Sequence, residues 1–90
     1  ADANARELSN RVQELRATLR RYGESIRFYT TTALREADNL MSAADLQFRE
    51  SETDITEYVQ SMNAAREIKK GYIEAVYQYN VAALEYELYH

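Results

Sequence analysis

The sequence contains no cysteine, no proline and only two glycines, and each of these absences excludes a class of structure. Without cysteine, the chain can form neither a disulfide scaffold nor a thiolate metal site, and it has no cysteine nucleophile. Without proline, and with glycine only at positions 23 and 71, it lacks the residues that tight turns favour. A β-rich fold is therefore disfavoured, and we expect one helical domain in a chain of 90 residues.

Long apolar runs and an excess of positive charge are also missing. No apolar run approaches the roughly 20 residues that span a bilayer, so this segment is not expected to insert into a membrane. The net charge of −4 disfavours nucleic acids and anionic membranes as partners. The charge is unevenly distributed along the chain. Residues 1–35 contain seven arginines and four acidic residues, whereas residues 36–90 contain four basic and eleven acidic residues. The two halves of the chain are therefore expected to attract each other.

Apolar residues recur at spacings of three and four along the first half of the chain, which is the pattern of a coiled-coil helix. The members of this first stripe are Ala5, Leu8, Val12, Leu15, Leu19, Tyr22, Ile26, Tyr29, Ala33, Ala37, Leu40, Ala44 and Phe48. After Ala33 the stripe runs through Ala37, Leu40, Ala44 and Phe48, where two consecutive spacings of four form a stutter that relaxes a supercoil without ending the helix. Gly23 costs only about 1 kcal/mol relative to alanine. One helix is predicted from about residue 4 to 49.

A polar gap follows, and the chain is predicted to turn at about residues 50 to 54. Asp54 with Glu57 three residues later is typical of an N-cap with its capping-box partner, although Ser51 with Asp54 is a competing register. A second apolar stripe then predicts a helix from about residue 55 to 89. Its members are Ile55, Tyr58, Met62, Ala65, Ile68, Tyr72, Val76, Tyr79, Ala83 and Tyr86. The predicted fold is all-α, a long antiparallel two-helix coiled-coil hairpin spanning residues 1 to 90.

The second helix carries a further apolar stripe on a face turned away from the first. It consists of Ile73, Tyr77, Val81, Leu84 and Leu88. A single partner helix cannot cover both faces, so this surface requires another partner. If each residue buries about 60 Å², the gain is about 7 kcal/mol per chain before the association entropy is subtracted. We therefore expect the chain to be a fragment of a larger protein and to self-associate when isolated.

Side chains that could carry chemistry are few. The single histidine is the terminal His90, and Met41 and Met62 are explained by the apolar pattern, so zinc or copper binding is expected to be weak or absent. Five acids near the turn could offer oxygen ligands, but they lack the glycine-pinned spacing of a calcium loop, and a solvated acidic turn is the preferred interpretation. These acids are Asp45, Glu50, Glu52, Asp54 and Glu57. No metal site and no cofactor are predicted.

Catalysis and nucleic-acid binding find little support in the sequence. The only bases available to activate a hydroxyl are carboxylates and the pair Lys69-Lys70, and a long hairpin implies no pocket, so an enzyme is not predicted. Arg16, Arg20 and Arg27 are interleaved with glutamates, which favours a solvated or interhelix-paired face over a nucleic-acid surface. The regular tyrosines of the second helix are interpreted as packing residues.

Several stretches of the chain resemble a known family. They are Tyr29, Ala33-Leu34, Ala37, Leu40 and Ala44 before the turn, Glu52-Thr53-Asp54-Ile55-Thr56-Glu57-Tyr58-Val59-Gln60 at the turn, and Tyr72-Ile73-Glu74-Ala75, Tyr79-Asn80 and Leu84-Glu85-Tyr86-Glu87-Leu88-Tyr89 after it. Together these stretches resemble the last periplasmic helical hairpin of TolC-family outer membrane efflux proteins, in the heavy-metal cation efflux form. The chain is also similar to the C-terminal extension of some heavy-metal RND efflux pumps.

The resemblance implies a structural role in heavy-metal resistance. It implies that the hairpin forms part of a periplasmic α-helical conduit in a tripartite efflux system, as a trimer in the full-length channel. It also implies that the tip docks a periplasmic adaptor protein, with an RND pump as the third component. The tip residues are Glu50, Ser51, Glu52, Thr53 and Asp54. Two positions depart from the family pattern: Ser51 stands where glycine is usual, and Arg35 stands where proline often follows the Ala-Leu pair.

Two alternatives stay open at this stage. The parent could be the pump with its C-terminal extension instead of the channel. The chain could also be a free-standing coiled-coil interaction module that shares only the heptad and turn pattern. Upstream sequence would distinguish them, because β-strand repeats indicate the channel and transmembrane helices indicate the pump.

Overall fold

The computed structural model describes residues 2–89, and within them it shows two long antiparallel helical arms joined by a short turn. The first arm consists of helix α1 (Asp2–Phe28), a π-helical turn (Tyr29–Ala33) and helix α2 (Leu34–Arg49). The second arm is helix α3 (Ile55–Glu87). No strand occurs among the described residues, and the molecule measures 70 × 22 × 14 Å. The predicted all-α coiled-coil hairpin is confirmed.

The most deeply buried side chains are six alanines and one leucine, and they lie along the line where the two arms meet. They are Leu15, Ala33, Ala37, Ala44, Ala65, Ala75 and Ala82. Alanines at a helix contact let the backbones approach closely, so the tyrosines and leucines beside them lie at the edges of the seam and are only half-buried. The hairpin therefore has a thin core, with no large side chain fully buried among the described residues.

The seam on α3 differs from the sequence prediction at two positions. The prediction placed Val76 and Ala83 in the seam, whereas Ala75 and Ala82 are the buried residues, at 4% and 5% exposure. With these alanines, the seam residues from Tyr72 to Tyr86 alternate spacings of three and four without a break. The sequence pattern favours Val76 over Ala75 because valine is the larger apolar residue, and it cannot distinguish Ala82 from the identical Ala83.

Some predicted stripe residues near the ends of the hairpin remain exposed. Leu8, Phe48 and Ile55 are 53%, 41% and 57% exposed. At the ends of the hairpin the opposite arm stops or turns away, so no helix covers these side chains. The second helix also ends slightly earlier than the predicted residue 89, because the amides of Leu88 and Tyr89 bond the carbonyls three residues before them, forming a tighter final turn.

The first arm contains a π-helical turn that the sequence analysis did not predict. Ala37 follows Tyr29 by eight residues where the heptad needs seven, and the wide turn at Tyr29–Ala33 absorbs the extra residue. The hydroxyl groups of Thr30 and Thr31 donate to the carbonyl of Arg27 at 3.2 and 2.7 Å. The carbonyl of Arg27 lies at the end of α1, directly before the turn in which the regular hydrogen-bond ladder is disturbed. The first arm therefore continues as one helix through the turn.

Candidate partner-binding surfaces

The backbone at the hairpin tip ends α2 with a Schellman motif. The amide of Glu52 donates to the carbonyl of Gln47 at 2.8 Å, and the amide of Ser51 donates to the carbonyl of Phe48 at 3.1 Å. Ser51 has φ 59°, the left-handed conformation that glycine usually supplies at this position. The motif therefore forms although serine stands where the resembled family has glycine.

The start of α3 is fixed by two side-chain bonds. The carboxylate of Asp54 accepts from the amide of Glu57 at 2.8 Å, which confirms Asp54 as the N-cap. The prediction of a reciprocal capping box is wrong, because the Glu57 carboxylate accepts from the Thr53 hydroxyl instead of from the amide of Asp54. The competing register, with Ser51 as the cap, is not used. Two of the five tip residues, Thr53 and Asp54, thus use their side chains to hold the turn.

The tip presents acidic and apolar groups together. Glu50, Ser51, Glu52 and Asp54 are exposed and Thr53 is half-buried. Beside them, Ile55 and Val59 are 57% and 46% exposed. The apolar residues were missed as part of a tip surface, because the sequence pattern assigned Ile55 to the seam. A partner at the tip would therefore meet apolar surface as well as carboxylates.

A tyrosine bond ties the two arms together just below the tip. The Tyr58 hydroxyl donates to the carboxylate of Asp45 at 2.7 Å, and the rings of Tyr58 and Phe48 lie 4.8 Å apart. The hydrogen bond to the carboxylate, together with desolvation, raises the pKa of Tyr58 above its ordinary value. Asp45 was considered as a possible cation ligand in the sequence; in the structure it accepts this bond from the opposite arm.

The further apolar stripe predicted from Ile73 to Leu88 lies on the face of the second arm that is turned away from the first arm. This surface is called here the α3 back. Its five residues are strongly exposed, with Val81 the least at 43% and Leu88 the most at 82%. The full set is Ile73, Tyr77, Val81, Leu84 and Leu88. Side chains spaced three and four apart adjoin each other on a helix, so these residues form one continuous apolar surface.

Two basic residues continue the α3 back toward the tip. Lys70 lies three residues before Ile73, and Arg66 lies four residues before Lys70. Both basic residues are therefore on the same face of the helix as Ile73. Both are exposed, and neither forms an ion pair with another described residue. The neighbouring Lys69 differs, because its ammonium group lies 3.2 Å from the carboxylate of Asp38 across the seam. Sequence reasoning missed the two basic residues because charged side chains drop out of an apolar pattern.

The opposite face of the molecule, the outer face of α1 and α2, is mainly polar. Its exposed residues are Arg6, Asn10, Gln13, Ala17, Arg20, Glu24 and Phe28 on α1 and Arg35, Asn39, Ser42 and Leu46 on α2. The apolar members Phe28 and Leu46 are separated by polar residues, so they form no continuous stripe. The hairpin is thus one-sided, with its apolar surface on α3.

Near the open end of the hairpin, two arginines of α1, Arg11 and Arg16, bond to side chains of α3. The guanidinium group of Arg11 donates to both carboxylate oxygens of Glu85 at 2.5 and 2.6 Å, and it also pairs with Glu14. This bidentate bond holds the pKa of Glu85 below its ordinary value. Arg16 donates to the hydroxyl of Tyr86 at 3.1 Å. The expected attraction between the two halves is present in the Arg11–Glu85 pair, whereas Lys69 and Asp38 both belong to the second half.

A shallow groove lies beside these surfaces among the described residues. The groove between α2 and α3 is a shallow, largely apolar depression lined by Leu34, Asp38, Lys69, Tyr72 and Ile73. Within residues 2–89, no cluster of three or more acidic or histidine side chains is arranged to hold a metal ion. In the same part of the chain, no helix is long and apolar enough to cross a membrane.

Comparison of the chain with protein-family models, with curated proteins and with solved structures finds no match.

Proposed function

We propose that this hairpin is a structural element of a larger assembly, in which the α3 back packs against a neighbouring helix and the tip binds a partner. The observation that carries the proposal is the α3 back, whose five large apolar side chains are 43% to 82% exposed. A monomeric soluble helix rarely leaves such a stripe to water, because covering it with another helix is favourable.

The resemblance noted in the sequence makes this role more specific. It favours a segment of a tripartite heavy-metal efflux system, in which hairpins form the wall of a periplasmic conduit and their tips meet an adaptor. An extended hairpin of 70 Å with a capped, acidic tip is compatible with that task. The role needs no catalytic group, so it also agrees with the scarcity of chemistry in the sequence.

Charge reversal at the tip tests the efflux role. In the full efflux system, Glu50→Lys with Glu52→Lys should lower metal resistance, because a partner surface that attracts carboxylates would then repel the tip. Both side chains are exposed and do not cap a helix, so helix content measured by circular dichroism should be unchanged. The matched control is Glu7→Lys with Glu24→Lys, which makes the same charge change on exposed positions of α1.

The two pairs of substitutions separate the possible outcomes. Loss of resistance in the tip variant alone, at normal protein abundance, supports partner binding through the tip. Unchanged resistance in both variants contradicts the docking role and leaves the second candidate, a coiled-coil interaction module that acts through its helices. That candidate is favoured by the same α3 back.

A further inference from the structure

The α3 back is the one continuous apolar surface among the described residues, and its pattern of charge indicates what can cover it. We propose that the α3 back binds the α3 back of a second copy of this chain, with the two helices antiparallel about a two-fold axis near Tyr77. The inference concerns the ninety-residue chain by itself and does not rest on the efflux role. In a conduit, other helices of the assembly would cover the same surface.

The distribution of apolar residues favours a pairing of like faces. If the α3 back packed against the outer face of a neighbour's first arm, Ile73, Leu84 and Leu88 would meet a surface rich in arginine, asparagine and glutamine. Such a contact would desolvate polar groups without hydrogen-bond partners, which is costly. A two-fold interface instead sets the same apolar stripe on both sides, so each chain covers the other.

The two basic residues of the α3 back decide the direction of the second helix. A parallel pairing would place Arg66 against Arg66 and Lys70 against Lys70, and like charges that face each other across an interface are unfavourable. An antiparallel pairing about Tyr77 places Lys70 at the level of Leu84, and Arg66 at the level of Leu88. There the aliphatic stems of the basic side chains can cover the leucines while their charges approach the exposed carboxylate of Glu87.

The expected dimer is weak. The five stripe residues supply about 300 Å² of apolar surface per chain, which is below the roughly 800 Å² per partner of a stable interface. A dissociation constant of roughly 10–100 µM is therefore expected, with the monomer dominant at low micromolar concentration.

Sedimentation equilibrium of the chain between 5 µM and 1 mM tests whether the α3 back is the interface. The wild type should pass from monomer to dimer in this range, and Leu84→Glu should raise the dissociation constant at least tenfold. The matched control is Leu46→Glu, which places the same charge on an exposed leucine of the other face, 53% exposed against 65% for Leu84. A monomer at 1 mM, or an equal effect of the two variants, would overturn the proposal.

Disulfide trapping tests the direction, since the chain has no cysteine of its own. The variants Lys70→Cys and Leu84→Cys are mixed and oxidised at about 1 mM, roughly ten times the highest dissociation constant expected. The antiparallel dimer predicts cross-links mainly between the two different variants. Cross-links mainly between two copies of Lys70→Cys would show a parallel pairing, with both tips at one end, and would overturn the proposal without touching the efflux test.

Discussion

At the scale of single residues, Ser51 has a backbone conformation that serine rarely adopts. Its φ of 59° costs a residue with a Cβ atom about 1 kcal/mol, a cost that glycine does not have. Ser51→Gly should therefore raise the free energy of unfolding by about 1 kcal/mol, measured by urea denaturation and circular dichroism. The control is Glu50→Gly, where φ is −87° and glycine should lower stability. A wild-type value for Ser51→Gly would contradict the left-handed assignment.

The two glycines predict opposite results for the same substitution. A Cβ atom at Gly23 would lie 3.6 Å from the Tyr79 ring, an ordinary contact, so Gly23→Ala should stabilise the hairpin by about 1 kcal/mol. A Cβ atom at Gly71 would collide with the hydroxyl end of Tyr29, which also packs edge-on against Tyr72. There the cost of displacing the ring, about 1–3 kcal/mol, should cancel or exceed the gain in helix propensity.

Thermal unfolding of the two alanine variants checks this difference. Gly71→Ala should melt below Gly23→Ala, and Tyr29→Phe combined with Gly71→Ala should recover part of the loss, because the colliding oxygen is gone. Equal stabilisation by both single substitutions would show that Tyr29 does not lie over Gly71.

The Arg11–Glu85 pair predicts a dependence of stability on pH. Because the folded-state pKa of Glu85 is lowered, its contribution is present above the ordinary carboxyl range and is lost as pH falls through the folded-state pKa. Glu85→Gln should therefore melt below the wild type at pH 7, and the difference should disappear in strong acid. The control is Glu87→Gln, whose carboxylate forms no ion pair with a described residue. A difference that does not change with pH would argue against the pair.

At the scale of elements, the π-helical turn predicts the effect of removing one residue. With Thr31 deleted, Tyr29 and the residue now numbered Ala37 would be seven residues apart, so a regular α-helix could hold Tyr22, Tyr29, Ala37 and Ala44 on one seam. The deletion should leave the melting temperature nearly unchanged. Deletion of Ala17, which is exposed on α1 away from the π-helical turn, shifts the seam out of phase and should destabilise strongly. Equal losses in the two variants would contradict this account.

The helices and the turn could be predicted from the sequence because each depends on local pattern. Apolar spacing identifies a helix, and a polar gap ending in Asp54 identifies the turn. The π-helical turn could not be predicted, because spacing shows that one residue is in excess and does not show how the backbone absorbs it. The choice of Ala75 over Val76 depends on how closely the two arms approach, which is a tertiary property.

The candidate surfaces were predictable to a smaller extent. The exposure of the stripe from Ile73 to Leu88 could be predicted, because the second helix has two apolar faces and a single partner helix covers only one of them. The bonds of Arg11 with Glu85 and of Tyr58 with Asp45 could not be found, because they depend on the alignment of two arms that are far apart in sequence. That Arg66 and Lys70 belong to the same surface can be recognised only once the exposed face of α3 is known.

At the scale of the whole molecule, the hairpin is long, thin and one-sided. Its buried residues are six alanines and Leu15, and no large side chain is fully buried among the described residues. The exposed large apolar side chains lie chiefly on the α3 back and at the two ends. This uneven distribution is the physical basis for proposing that the protein works within an assembly. The central claim is that the α3 back is the surface through which it does so.

The most direct measurement of that claim is a dilution series of ¹H–¹⁵N correlation spectra, from 1 mM to 20 µM. If the α3 back is an interaction surface, amide signals from residues 66 to 88 should shift or broaden with concentration. Signals from the outer face of α1, such as those of Arg6 and Arg20, should stay in place. Spectra that do not change over this range, or changes centred on α1, would contradict the account.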